Sequence, residues 1–161
     1  MITRLDVSNY RSLGEGVRLD LGKFAVLVGP NGSGKSNVAD VLRFVSEALR
    51  LGLDSAITSR HGIRAVRRWS SGRPFNLHIH LSVSEPAFNG TYQFEVTGSS
   101  AEEYRVKQEH AWVAPADRVL APYEFRVDES GWAGPSDLRP DVSPLSLALP
   151  VVAGDERFRP L

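Results

Sequence analysis

Residues 29–37 of the 161-residue chain read GPNGSGKSN. Gly29 to Ser36 satisfy the spacing G-x-x-x-x-G-K-[ST], the sequence form of a loop that holds the phosphates of a nucleotide. Gly29, Gly32 and Gly34 allow backbone dihedrals and close approaches that a Cβ would block, so successive N–H groups can turn inward around an anion. Pro30, Asn31 and Ser33 complete the loop and Asn37 follows it. Lys35 supplies a point charge for the β- and γ-phosphates, Ser36 offers a hydroxyl to Mg²⁺, and the start of the following helix adds partial positive charge. Splitting a phosphate needs more than holding it. A carboxylate at the end of a second buried strand must share the metal, and a neighbouring acid must position the attacking water. The candidates by spacing are Asp155 and Glu156, which follow Val151, Val152, Ala153 and Gly154 in LPVVAGDER. Pro150 and Gly154 weaken a central strand there, and Gly154-Asp155 reads as a turn or helix start.

The elements that must position these groups follow from periodicity. ITRLDVSNY and GVRLDL alternate apolar and polar residues as strands do. KFAVLV, continuously apolar from Phe24 to Val28, reads as a central strand buried on both faces and running straight into the glycine loop. From Ser36 the period becomes helical, with Val38, Val41, Leu42, Val45 and Leu49 on one stripe and Gly52 as a stop. Residues 51–74 form a basic connector. FNLHIHLSVS, GTYQFEVTG and EEYRVKQEHAWV then read as an antiparallel meander over residues 75–113, with turns at EPAFNG and TGSSAE. Residues 114–161 are rich in Pro, Gly and Asp, with short apolar pieces such as YEFRV.

The totals bound the rest. One compact domain is the default for this length. Hydrophobic residues at 42%, charged residues at 24% and a formal net charge of zero describe an ordinary globular chain with no global pull toward nucleic acid or acidic lipid. The absence of cysteine excludes disulfides, cysteine nucleophiles and thiolate metal sites. No basic start precedes an apolar h-region, and no run reaches the roughly twenty apolar residues of a membrane span. The expectation is a cytoplasmic protein with no membrane partner.

LDVSNYRSL, the short hairpin after it and LVGPNGSGKSNVADVLRFV together resemble the N-terminal lobe of the ABC-type ATPases related to RecF, to the structural-maintenance-of-chromosomes proteins and to the overcoming-lysogenization-defect group. The shared signs are Asn31 in the loop, Asn37 and Asp40 after the lysine, and NYRS upstream. The likeness is closest over about residues 1–50 and general from 51 to 113. It implies an α/β P-loop NTPase fold, an ABC-ATPase-like first lobe with a mixed or antiparallel sheet around the P-loop helix. It implies ATP and Mg²⁺ as cofactors, Arg11 near the phosphates with Ser12 beside it, and Gln108 in the Mg²⁺ shell, with Glu109 its acidic neighbour. Asp40, one helical turn beyond Ser36, could cap, pair locally or touch ligand.

By the same resemblance, two such domains sandwich ATP head to tail, as a homodimer or with a complementary ATPase lobe, in DNA repair, chromosome maintenance or defence against phage. A signature of the LSGGE type would stand shortly before the catalytic acids, where this chain has DVSPLSLALP. The expectation is a single nucleotide-binding lobe over residues 1–161, continued past Leu161, that binds ATP and becomes an ATPase only when completed. A non-catalytic, ATP-dependent assembly module and a small P-loop kinase are the alternatives.

Two secondary features remain. Arg60, His61, Arg64, Arg67, Arg68 and Arg73, interleaved with Trp69 and Phe75, could meet nucleic-acid phosphates or stack on a base, or form a solvated connector. His78 and His80 share one strand face, as paired metal ligands or as a polar side facing water.

Overall fold

The computed structural model describes residues 1–68, 75–117 and 120–161. Among the described residues, seven strands form one sheet: β1 (Ile2–Ser8), β2 (Val17–Asp20), β3 (Leu77–Glu85), β4 (Phe88–Thr97), β5 (Arg105–Pro115), β6 (Tyr123–Asp128) and β7 (Gly131–Ala133). The spatial order is β2-β1-β3-β4-β5-β6-β7, and every neighbouring pair is antiparallel. The helices are α1 (Lys35–Leu51), α2 (Leu53–Thr58), α3 (Ile63–Val66) and α4 (Leu149–Val152). The α/β class is the expected one, with an antiparallel rather than mixed sheet. Its last two strands extend the meander beyond the three predicted runs.

Alternation decides which face the helices cover. Leu5 pairs with Leu81, and Ile79 with Phe94. These residues form the buried face with Tyr92, Ala111, Val113 and Phe125. Against it lie Val38, Val41, Phe44, Val45 and Ala48 of α1, together with Leu147, Leu149, Val152 and Phe158 from the C-terminal segment. The apolar stripe of α1 is wider than its sequence period suggested, because Phe44 and Ala48 are also fully buried. Gly52 ends α1 at φ 94°, a left-handed value that favours glycine.

The run from Phe24 to Val28 departs from expectation. It forms no strand, and Phe24 and Val28 are 85% and 90% exposed. An apolar strand buried on both faces needs a neighbour at each edge and a layer above and below. The helices pack on a sheet whose edge strand is β2, and the run pairs with none of the described strands.

Candidate nucleotide-binding site

The glycine loop of residues 29–34 leads directly into α1, the longest of the described helices. Gly34 stands at the N-cap with φ 94°, no side chain caps the first turn, and no acid lies in it. The first N–H groups of α1 are therefore offered outward, with the positive end of the helix dipole behind them. Gly32 also has a left-handed φ, 82°. A Cβ on Gly34 would come within 2.9 Å of Leu13 Cδ2, so the loop seats against the turn of residues 9–14 only with glycine there.

Ser12 and residues Asn31 to Asn37 line a concavity of about 530 Å³. Lys35 Nζ donates to the carbonyls of Gly29 and Pro30 at 2.7 Å each, which fixes the ammonium beside the loop. Ser36 lies in the first turn of α1, and Asn37 Nδ2 donates to Ser12 Oγ at 2.6 Å. Asn37 thus acts on the loop's neighbour rather than standing free. This donor set fits a polyphosphate with its metal. Backbone N–H groups and an ammonium suit phosphate oxygens, and the Ser36 hydroxyl suits a hard cation such as Mg²⁺. A larger concavity of about 640 Å³ lies between β5, β6, β7 and residues 140–146, remote in sequence from this chemistry.

Arg11 sits one residue behind Ser12, in a turn where Asn9 and Arg11 both adopt left-handed backbone, φ 62° and 48°. Its Nε lies 3.3 Å from Asp40 Oδ2. Asp40 pairs locally: Tyr10 donates to it at 2.6 Å, and Arg60 reaches it at 3.1 Å. Burial pushes the Asp40 carboxyl up, but hydrogen bonds from Tyr10 and Arg60 and the charges of Arg11 and Arg60 outweigh it and hold it below the usual range. The Tyr10 phenol is pushed up by burial and by that same carboxylate.

The basic cluster divides. Arg60 is 6% exposed and is engaged with Asp40, Glu47 and the Ala56 carbonyl. Arg67 is buried and donates to the carbonyls of Ser100 and Glu103, and burial pulls its pKa down. Neither is available to nucleic acid, which corrects the expectation of a contiguous basic surface. Arg64 and His61 keep contact with solvent, and Arg68 lies 5.7 Å from the Phe75 ring. Trp69 and Arg73 lie outside the described residues.

The expected metal ligand Gln108 points away from the helices, donating to Glu95 Oε2 at 2.9 Å on the sheet's polar face. The reason is a register shift between Glu95 and Val96, opposite Val106 and Gln108. The irregularity inserts Lys107 and turns Glu109 inward instead. Glu109 is 1% exposed and accepts hydrogen bonds from Tyr92 Oη at 2.8 Å and from the N–H groups of Ala148 and Leu149. Its role went unread. An acid beside the inward pair Ala111 and Val113 was the available signal.

Residues 149–152 form α4 and not a strand. Asp155 lies past its end, pairing with Arg157, which also binds Asp137. The Arg157 hydrogen bonds hold Asp155 down to about 2. Glu156 is exposed. His78 and His80 lie on the polar face near Asp6 and Arg4, and His80 Nδ1 lies 3.1 Å from Gln93 Oε1. No helix among the described residues is long and apolar enough to cross a membrane.

Comparison with known proteins adds to this geometry. The chain is 50% identical over 42 residues to the chromosome partition protein Smc of Desulfitobacterium hafniense (strain Y51), which covers 26% of this chain and 4% of that protein. It is 44% identical over 62 residues to Smc of Bacillus subtilis (strain 168), covering 38% of this chain and 5% of that protein. The chain therefore spans only a small fraction of the length of these relatives. Residues 24–146 match the family described as “AAA domain, putative AbiEii toxin, Type IV TA system”. That match takes in the phosphate loop, α1 and the central strands. The chain belongs to this AAA-domain family, as a P-loop ATPase domain distantly related to Smc.

Proposed function

We propose that residues 1–161 are the ATP-binding first lobe of an ABC-type ATPase, one that pairs on ATP with a second copy or a complementary lobe. The setting is DNA repair, chromosome maintenance or defence against phage. The observation that carries the reading is the junction of GPNGSGKS with the uncapped start of α1, flanked by Ser12. Loop amides and Lys35 hold the β- and γ-phosphates, Ser36 holds Mg²⁺, and Arg11 with Ser12 serves the outermost phosphate. Bound Mg²⁺ would neutralise charge on the phosphate oxygens.

In this reading the groups that activate water belong to the other lobe. Asp155 is tied to Arg157, and Gln108 to Glu95. The exposed Phe24–Val28 run supports the same view, since apolar surface beside a binding loop is what a partner covers. A small kinase would be built on parallel βαβ units, whereas all strand pairs described here are antiparallel. The engagement of Asp155 also favours a second reading, an assembly module that binds ATP without splitting it.

The test is to measure ATP binding and phosphate release separately for the wild type and Lys35→Ala with Mg²⁺ present. Binding in the wild type, its loss in the variant and no release from either are expected. Binding that survives Lys35→Ala sinks the reading. Turnover that disappears in Glu156→Gln overturns its binding-only part.

A further inference from the structure

We propose that Asp40 is the positioning residue for Arg11. It is a carboxylate on the phosphate-loop helix that holds the guanidinium by its Nε edge and leaves the terminal amino groups for the outermost phosphate of a nucleoside triphosphate. The proposal rests on the nucleotide-binding reading above and adds a residue that the phosphate motif itself does not select.

The turn carrying Arg11 is strained and pinned. Asn9 and Arg11 hold left-handed backbone at φ 62° and 48°. Such conformations persist where the surroundings over-determine them. Here the Arg11 N–H donates to the Val66 carbonyl at 2.7 Å and the Asn9 N–H to the Gly14 carbonyl at 3.0 Å. Between them Tyr10 is fully buried, its ring 5.5 Å from that of Phe44 on α1.

Two side chains of α1 then reach the turn. Asn37 donates to Ser12, and Asp40, three residues on and so on the same helix face, receives Tyr10 at 2.6 Å and faces Arg11 Nε at 3.3 Å. The other Asp40 oxygen accepts from Arg60 Nη2 at 3.1 Å, and Arg60 is itself fixed by Glu47 and the Ala56 carbonyl. Asp40 is therefore a rigid point set one helical turn beyond Ser36. Two acids, Asp40 and Glu47, face two arginines, so the cluster is balanced in charge.

The chemistry follows from how arginine is held. Pairing at the Nε edge leaves the Nη groups as donors. The Nε contact is an ion pair and not a hydrogen bond, the Nη groups donate no hydrogen bond among the described residues, and the side chain is 35% exposed. A tethered arginine has already lost most of the rotamer freedom that a free one would lose on meeting a ligand. The benefit goes to ligands that present the outermost phosphate, so Asp40 favours the triphosphate over the diphosphate.

The test measures dissociation constants of ATP and ADP with Mg²⁺ for the whole chain, comparing the wild type, Asp40→Asn, Arg11→Ala and the double variant. Asp40→Asn keeps the shape and should weaken ATP about fivefold, the upper scale of a partly exposed ion pair, with ADP changed less than about twofold. In the Arg11→Ala background it should add nothing. Tyr10→Phe removes one donor to Asp40 without changing charge, and should give a smaller, still ATP-selective loss. It carries the test if melting shows that Asp40→Asn does not fold. Equal losses for ATP and ADP, or additive effects in the double variant, overturn the proposal. Lys35→Ala separates the two levels. If it leaves ATP binding intact, the nucleotide reading falls and the positioning role with it. If it abolishes binding while Asp40→Asn and Tyr10→Phe are unselective, only the positioning role falls.

Discussion

Asp40, part-buried, and Glu109, fully buried, are acids that each hold a distant segment in place, and their surroundings are opposite. Asp40 ties the 9–14 turn and the α2–α3 connector to the phosphate-loop helix, with two arginines and a tyrosine around it. Glu109 ties the start of α4 to the sheet, and its donors are a phenol and two backbone N–H groups, with no cation among the described residues. A carboxylate with cations beside it is kept charged. One held by neutral donors in an apolar layer is driven toward its protonated form. The phosphate side is thus organised by charge, and the sheet side by hydrogen bonding and packing.

The largest effects come from removing the partner that each side cannot replace. Arg60→Ala leaves Asp40 and Glu47 without their shared cation and should cost about 3–5 kcal/mol, as breaking a buried ion pair does. Denaturant unfolding would measure it, and a loss below about 1 kcal/mol would break the claim that charge organises this side. Glu109→Ala leaves the Ala148 and Leu149 N–H groups and the Tyr92 hydroxyl without an acceptor, and should cost about 3 kcal/mol. Glu109→Gln keeps an acceptor and should cost about 1 kcal/mol, since a neutral group already suits the site. If Gln and Ala were equally damaging, the negative charge itself would matter, and the contrast with Asp40 would collapse.

Acidification should move the two sides in opposite directions. Burial raises the Glu109 pKa above its ordinary 4.5, with the Ala148 and Leu149 N–H groups and Tyr92 offsetting part of the rise. A raised folded pKa contributes stability in full below the unfolded value, and that stability is lost as pH rises through the folded one. The Asp40 pKa lies below its ordinary 3.8, because its hydrogen bonds and arginine neighbours outweigh burial. Its contribution is present above the unfolded value and is lost as pH falls through the folded one. As pH falls from neutrality toward the ordinary carboxyl value of 4.5, the wild type should gain stability relative to Glu109→Gln, while Asp40→Asn gains in parallel with the wild type. Below about pH 4 the advantage of the wild type over Asp40→Asn should shrink. Unfolding midpoints across this range check both, and the difference between variants cancels the histidines.

Local pattern made part of this legible from sequence. Strict alternation in LHIHLSV marked β3, the stripe from Val38 to Leu49 marked α1, and Gly52 marked its end. Each of these depends on residues a few positions apart. The misreadings depend on partners far along the chain. Arg60 counted as surface charge because Asp40 and Glu47 stand on another helix, 20 and 13 residues away. Gln108 was placed by the family resemblance alone, and the irregularity opposite Val96, which sets it on the polar face and Glu109 on the buried one, depends on the pairing of β4 with β5. The glycine loop and the helix it opens were readable because their signal lies in consecutive residues. The clamp around Arg11 was not, being assembled from Tyr10, Asp40 and Arg60.

Phe24–Val28 gives the smallest predicted effect on stability. Its composition is that of a buried strand, and its surroundings are solvent. Phe24→Ser and Val28→Ser together should shift stability by no more than about 0.5 kcal/mol, as exposed substitutions do. Phe94→Ala on the buried face should cost about 3–5 kcal/mol. The same serine pair should raise solubility, because it breaks an exposed apolar strip of high β-propensity. Sedimentation and unfolding measured on one set of variants read both quantities. A cost above about 2 kcal/mol for the serine pair would mean that the run is buried in the folded chain and stabilises it. A negligible cost with improved solubility would mean that its apolar character serves contact with another surface, adjoining the glycine loop of residues 29–36.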